Sequence, residues 1–148
     1  MSEYTPTYIL TWNPNKFDWR EYEEMVSIVK DGIGLETDWS CRSKNLRKGD
    51  RFILLMQGMG SKNGVVGFGE ILTSTYELPF TEFGDKFVDI RFERMWNYKT
   101  DKYVKTDVLK SMFPEQCFVP QFSGIKVKSS ILPVLWRVID DRNSDNSI

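Results

Sequence analysis

The sequence predicts an α+β fold, a small mixed β-barrel of five to six strands with two or three helices on its rim. Three observations lead there. Arg51 to Gln57 (RFILLMQ) and Val65 to Leu72 (VVGFGEIL) are apolar runs of strand length, joined by the turn-rich GMGSKNG in a hairpin pattern. Lys86 to Met95 (KFVDIRFERM) alternates with period two. Phe87, Asp89, Arg91 and Glu93 face one way, and Val88, Ile90, Phe92 and Arg94 the other. Finally, Trp19 to Lys30 and Leu132 to Ile139 carry apolar stripes at helical spacing, and these helices do not alternate regularly with the strands.

In chain order, Tyr8 to Trp12 (YILTW) reads as a short strand ended by Asn13-Pro14-Asn15. Asp18, with Glu21 three residues on, has the form of a capping box and predicts a helix start. Tyr22, Met25, Val26 and Val29 form that helix's core stripe, and Gly32 and Gly34 end it. Glu36 to Asn45 (ETDWSCRSKN) reads as irregular, with Trp39 either a plug on the core edge or a flat recognition surface. The central hairpin is apolar enough to be covered on both faces. Gly67 and Gly69 within it mark either bend points or room for a ligand.

Thr73 to Lys86 and Trp96 to Lys105 read as loops on either side of the alternating strand. Thr106 predicts the cap of a short helix to Phe113, closed by Pro114. Cys117 to Lys128 is irregular and then a strand, Gly124 to Val127. Ser129 or Ser130 caps a last helix with the stripe Leu132, Leu135, Trp136 and Ile139, and Pro133 is tolerated in its first turn. Residues 1–140 form one domain and residues 141–148 (DRNSDNSI) a flexible polar tail.

The chain has no histidine. That removes Ser-His and Cys-His catalysis, histidine metal sites and any nuclease with a histidine base. Cys41 and Cys117 alone cannot build a typical structural zinc site. No carboxylate cluster stands out, so no catalytic residue, metal site or cofactor is expected. No apolar run nears the length of a membrane span, and MSEYTPTY lacks the features of a signal peptide. The expectation is a cytoplasmic protein with reduced thiols and no membrane partner. Net charge is −1, yet Arg42, Lys44, Arg47, Lys48 and Arg51 stand close together, opposed only by Asp50. A local basic face suits a limited set of phosphate contacts, although such residues are also ordinary solvated surface.

Four segments carry a family resemblance: YILTWNP at Tyr8 to Pro14; the Trp39 segment followed by LRKGDRFILLMQG and GVVGFGEI; FVDIRFER at Phe87 to Arg94; and VPQFSGIKV at Val119 to Val127 ahead of the Trp136 helix. In their order and spacing, across roughly residues 7 to 140, the chain resembles the EVE domain, a PUA-like family related to the YTH readers. Standalone bacterial members usually have KSEP at the first turn, where this chain has Thr11-Trp12-Asn13-Pro14. The WNP form with PQFSG is similar to EVE-like modules fused to nucleases in modification-dependent restriction systems. There the module binds DNA with a modified base and a separate domain cuts.

The resemblance implies a PUA-like barrel and a non-catalytic DNA-binding module that flips a modified base into an aromatic pocket. The base would be 5-methylcytosine or 5-hydroxymethylcytosine, and a nuclease domain or subunit the partner. The alternative is a reader of modified RNA or of N6-methyladenine. By position in the motifs, Trp39 corresponds to a cage tryptophan, Trp12 to the opposing wall and Phe92 to a third aromatic. Asn13 and Ser40 would offer polar groups to the base edge, Gln121 and Ser123 would hold base or phosphate, and Arg42, Lys44 and Lys126 would contact phosphates. Trp12 reads equally well as a core plug, and Trp19 and Trp136 read as core.

Overall fold

The computed structural model describes residues 5–145. It contains the strands β1 (Thr7–Trp12), β2 (Leu35–Ser40), β3 (Arg51–Met56), β4 (Gly64–Ile71), β5 (Tyr76–Thr81), β6 (Gly84–Met95) and β7 (Ile125–Lys126). The helices are α1 (Tyr22–Lys30), α2 (Thr106–Met112) and α3 (Leu132–Asp145). All seven strands join one sheet in the order β2-β6-β4-β3-β1-β7, with β5 paired to β6 off that path. β1 and β3 run parallel and the other pairs are antiparallel. The mixed α+β class stands. The sheet is open, because among the described residues no ladder joins β2 to β7. Just beyond β2 and before β7, the Arg42 N–H donates to the Ser123 carbonyl at 2.8 Å.

The hairpin β3–β4 lies at the centre of the sheet, and every residue of β3 is buried. Gly67 and Gly69 are sites of close approach to β6. A Cβ on Gly69 would collide with the Arg91 carbonyl oxygen, and one on Gly67 would come 2.9 Å from Phe92 Cε1. Both flank the register shift of the β4–β6 ladder, so they bend the strand, and β6 fills the space a ligand would need. A row of opposite charges crosses the sheet at the level where Arg51 pairs with Glu70, Glu70 with Arg91, and Arg91 with Glu36. Arg91 forms ion pairs with Glu70 and Glu36, and Arg51 forms a two-pronged pair with Glu93 at 2.8 and 3.1 Å while lying over the Trp136 ring.

The α3 stripe Leu132, Leu135, Trp136 and Ile139 is buried against the sheet, and the Trp136 indole N–H donates to Thr7 Oγ1 at 3.2 Å. In the α1 stripe Tyr22, Val26 and Val29 are buried and Met25 half-buried.

Five expectations need correction. Glu36 to Ser40 is an edge strand, not irregular chain, because β2 pairs only with β6 and therefore keeps Glu36 and Asp38 in water. Thr73 to Lys86 contains β5 and a two-residue turn to β6, closed by Gly84 at φ +103°. The Asp18–Glu21 capping box does not form. Trp19 is drawn into the core, the Tyr22 N–H turns back to the Trp19 carbonyl, and α1 starts only at Tyr22. Thr106 is buried inside the first turn of α2, and Lys105, which precedes it, gives the helix no side-chain cap. The predicted tail is helical as far as Asp145, and residues 146–148 lie outside the described residues.

Tyr22 donates its hydroxyl to the Trp96 carbonyl and accepts the Tyr98 N–H at 3.1 Å. Burial pushes this phenol well above its ordinary value of 10.0. Below that value both folded and unfolded tyrosine are neutral. Above it the unfolded chain ionises while the folded residue does not, so stability is lost as pH rises. One such group contributes a slope of about 1.4 kcal/mol per pH unit. Denaturant midpoints measured from about pH 8 to about pH 11 should stay level and then fall. Tyr22→Phe should make the fall shallower, and an unchanged fall would mean that other groups cause it.

Candidate nucleic-acid interface

Two tryptophans of the predicted pocket belong to one aromatic cluster. Trp12 closes β1 and is 5% exposed. Its indole N–H donates to the Phe17 carbonyl at 3.0 Å, and its ring stands edge-on to Trp19 at 5.1 Å and tilted on Tyr22 at 4.8 Å. Trp39, near the end of edge strand β2, is half-buried. Its N–H donates to the Thr11 carbonyl at 3.0 Å, and its ring lies 5.0 Å from Trp19 and 6.4 Å from Phe92. Both indoles therefore close on the buried Trp19, not on an open hollow between them.

Trp12 is thus a core ring and not the wall opposite Trp39. Phe92 is corrected as well. It sits on β6 in phase with Val88 and Ile90, is fully buried, and packs edge-on to Phe52 at 5.3 Å. A ring at the middle of a sheet covered on that face has no surface to offer a base.

The rim beside Trp39 is built from other residues. Phe17 lies 6.3 Å from Trp39, and Phe83, 46% exposed at the β5–β6 turn, lies 5.2 Å from Phe17. Asn13 serves its own turn. Its side-chain oxygen accepts the Asn15 N–H at 2.9 Å and its carbonyl accepts the N–H groups of Lys16 and Phe17. Asn15 ties that turn to the Gly58 carbonyl at 2.7 Å, so Asn13 holds Phe17 in place.

Thr11 gathers most of the remaining candidates. Its carbonyl takes the Trp39 N–H, and its own N–H donates to Ser123 Oγ at 3.2 Å. Ser123 in turn accepts the Arg42 N–H through its carbonyl. Gly124 lets the two segments approach, since a Cβ there would stand 3.2 Å from Cys41 Cβ and 3.3 Å from Arg42 N. The result is one ledge that carries Trp39, Arg42, Gln121 and Ser123. Gln121 and Arg42 are exposed on it, whereas Ser40, the next residue of β2 after Trp39, faces the other side of the sheet with Glu36 and Asp38, half-buried opposite Phe87. Lys44 and Lys126 are exposed beside it.

Phe17 and Phe122 escaped the sequence reading. Phe122 stands between Gln121 and Ser123, 45% exposed, with the Arg42 guanidinium 4.2 Å from its ring centre. An apolar residue inside a polar turn was the available signal.

Elsewhere, Glu36, Thr37, Asp38, Tyr76 and Asp89 line a hollow of about 340 Å³ on the other face of β2 and β6. Asp38 lies directly across from Asp89, and Tyr76 donates to Asp89 at 2.6 Å. Its charge is the wrong sign for phosphate. Burial and then the Asp89 bond push the Tyr76 phenol up. Among the described residues no group of His, Cys, Asp or Glu is arranged to hold a metal ion. Cys41 is buried, and burial pushes its thiol up, so it presents no ready thiolate. Among the described residues no helix is long and apolar enough to cross a membrane.

No family model and no curated protein matches the chain. Similar solved structures include Rpa0253 from Rhodopseudomonas palustris, 15% identical over 96% of this chain and 95% of that one, with a TM-score of 0.52. Another is Atu2648 from Agrobacterium tumefaciens, 15% identical over 93% of each chain, with a TM-score of 0.59. At such identity the likeness shows the fold alone.

Proposed function

We infer that this chain is a non-catalytic, PUA-like module of the EVE type that binds nucleic acid and reads a modified base, 5-methylcytosine or 5-hydroxymethylcytosine in DNA. A nuclease domain or subunit is the partner that acts on what it finds, and the cytoplasm is where it works. The observation that carries the reading is the Trp39 ledge. A flat ring stands part-exposed at a sheet edge with its N–H already bonded to Thr11, so only its π surface remains to offer. Stacking on such a ring contributes on the order of 1–3 kcal/mol per base, and burying a methyl group adds about 0.8 kcal/mol. Together these offset the few kcal/mol, roughly, that unstacking a base costs.

Three of the four segments that carry the resemblance meet at Thr11, which supports the reading: the first strand, the Trp39 strand and the PQFSG turn. Phe17 takes the place of Trp12 as the second aromatic at this rim. Gln121 and Ser123 supply polar groups to the base edge, and Arg42, Lys44 and Lys126 meet phosphates.

Titration of duplexes that differ only in one modified cytosine tests it, with N6-methyladenine duplexes and matched modified RNA run beside them. The modified-cytosine duplex should bind most tightly, and Trp39→Ala should weaken that binding by roughly 1–3 kcal/mol. Equal affinity for modified and plain DNA removes the reading, and preference for the RNA or the methyladenine moves it to the alternative substrate.

A further inference from the structure

The cations of this protein are distributed unevenly with respect to carboxylates. Arg20, Lys30, Arg51, Lys86, Arg91 and Lys99 all form ion pairs with acidic side chains. Among the described residues Lys16, Lys62, Lys105 and Lys110 form none, and neither do Arg42, Lys44, Arg47, Lys48, Lys126 and Lys128, six exposed cations that cluster. These six come from two stretches far apart in sequence that the fold lays side by side. Tyr8 joins them, pairing with Lys126 across β1 and β7 and donating its hydroxyl to the Asn45 carbonyl at 3.3 Å. The Arg42–Ser123 bond joins them again one step nearer Trp39. Lys126 and Lys128 alternate with the fully buried Val127, so both point out on one side. The one acid in the first stretch, Asp50, accepts the Arg47 N–H at 3.0 Å and is near enough to Arg47 and Lys126 for their charges to act on it.

Such clustered cations repel one another. Asp50 offsets part of this charge, acting on Arg47 and Lys126, and the positive excess that remains suits a polyanion that meets several cations at once. Phe122 adds the second element. It is an exposed ring at the end of the row next to Trp39, backed by the Arg42 guanidinium. Aromatic rings beside a positive track are how proteins hold single strands without reading their sequence.

We propose that Phe122 with Arg42 forms a stacking platform for the nucleotide adjacent to the base read at Trp39, and that the row from Lys44 to Lys48 with Lys126 and Lys128 carries the phosphodiester backbone away from it. This rests on the reading of the ledge as a nucleic-acid site, and extends it from one base to a strand. The chemistry is common to DNA and RNA, so both are used in the test.

The full chain is titrated with matched oligonucleotides, DNA and RNA, single-stranded and duplex, each with and without the modified base, over a range of salt. Phe122→Ala should weaken binding about five-fold or more. The loss should be equal with modified and plain strands, leaving their ratio unchanged. Phe122→Trp should keep the affinity. Lys126→Gln with Lys128→Gln should lower the salt slope by about 1.4–1.8, from about 0.7–0.9 per lost phosphate contact. Lys99→Gln with Lys110→Gln, the same charge change outside the row, should leave the slope as it is.

Wild-type affinity and slope in both the Phe122 and the lysine variants overturns the platform and the row while leaving base reading at Trp39 intact. A Phe122→Ala loss confined to modified strands also overturns it, because Phe122 would then belong to the base pocket. If the protein shows no preference for modified strands but both sets of variants weaken it, the row stands and the base reading falls. If no oligonucleotide binds, both fall. The variants' thermal midpoints should match wild type, since all these side chains are exposed.

Discussion

Gly69→Ala is expected to leave little folded protein. The added Cβ would collide with the Arg91 carbonyl oxygen, and would stand 2.9 Å from the carbonyl carbon and 3.0 Å from Phe52 Cε1. The obstacle is backbone of the neighbouring strand, which cannot rotate aside as a long side chain would. Moving it means breaking the β4–β6 ladder at its register shift, in the middle of the sheet. A loss of more than about 4 kcal/mol is expected, a large part of the roughly 5–15 kcal/mol that holds a domain together. Gly49→Ala is the useful contrast. Gly49 has open space around it and a φ of +94°, so only local backbone strain of about 1–2 kcal/mol applies. Soluble yield, circular dichroism and urea midpoints of the two variants check the order. A Gly69→Ala protein that melts within a few degrees of wild type would mean that the strands separate more easily than described.

Trp12→Ala is expected to cost about 3–5 kcal/mol of stability. It removes a ring packed against Trp19, Tyr22 and Tyr98, and it leaves the Phe17 carbonyl without the indole N–H. Trp12→Phe keeps an aromatic ring there and should recover most of the loss. Because Trp12 lies beneath the ledge, the two variants should differ in unfolding far more than in any base preference the surviving folded protein retains. The opposite pattern, wild-type stability with lost discrimination between modified and plain DNA, would return Trp12 to the wall of a pocket.

The elements legible in the sequence are those whose apolar period is set by burial. The central hairpin, β6 and the stripes of α1 and α3 face the core along their whole length, and their side chains say so. β2 and β5 were not legible for a common reason. Each pairs with β6 alone and keeps much of its length in water, so β2 alternates in burial, Leu35, Thr37 and Trp39 against Glu36 and Asp38, but its inner side holds only two apolar residues and does not stand out. The failed capping box has a different cause. Asp18 and Glu21 are suitably spaced, but burying the Trp19 ring outweighs a cap of about 1 kcal/mol. At the ledge, Phe92 was readable as core from its phase with Val88 and Ile90. The fates of Trp12 and Trp39 were not, since both indoles bond a carbonyl and both touch Trp19, and only the edge position of β2 leaves one part-exposed. The meeting of loop 41–48 with Lys126 and Lys128 depends on long-range pairing through Tyr8 that no local pattern announces.

The pairing of β1 with β7 and the Trp136–Thr7 bond join the beginning of the described chain to its end. During synthesis, Thr7 to Trp12 emerges before its parallel partner β3 and well before its other neighbour β7. Until then a largely apolar strand, buried in the folded protein, has no completed neighbours. Contacts spanning so much of the sequence slow folding into the range of milliseconds to seconds, roughly. The newborn protein therefore depends on holding β1 apart until β7 and α3 have emerged.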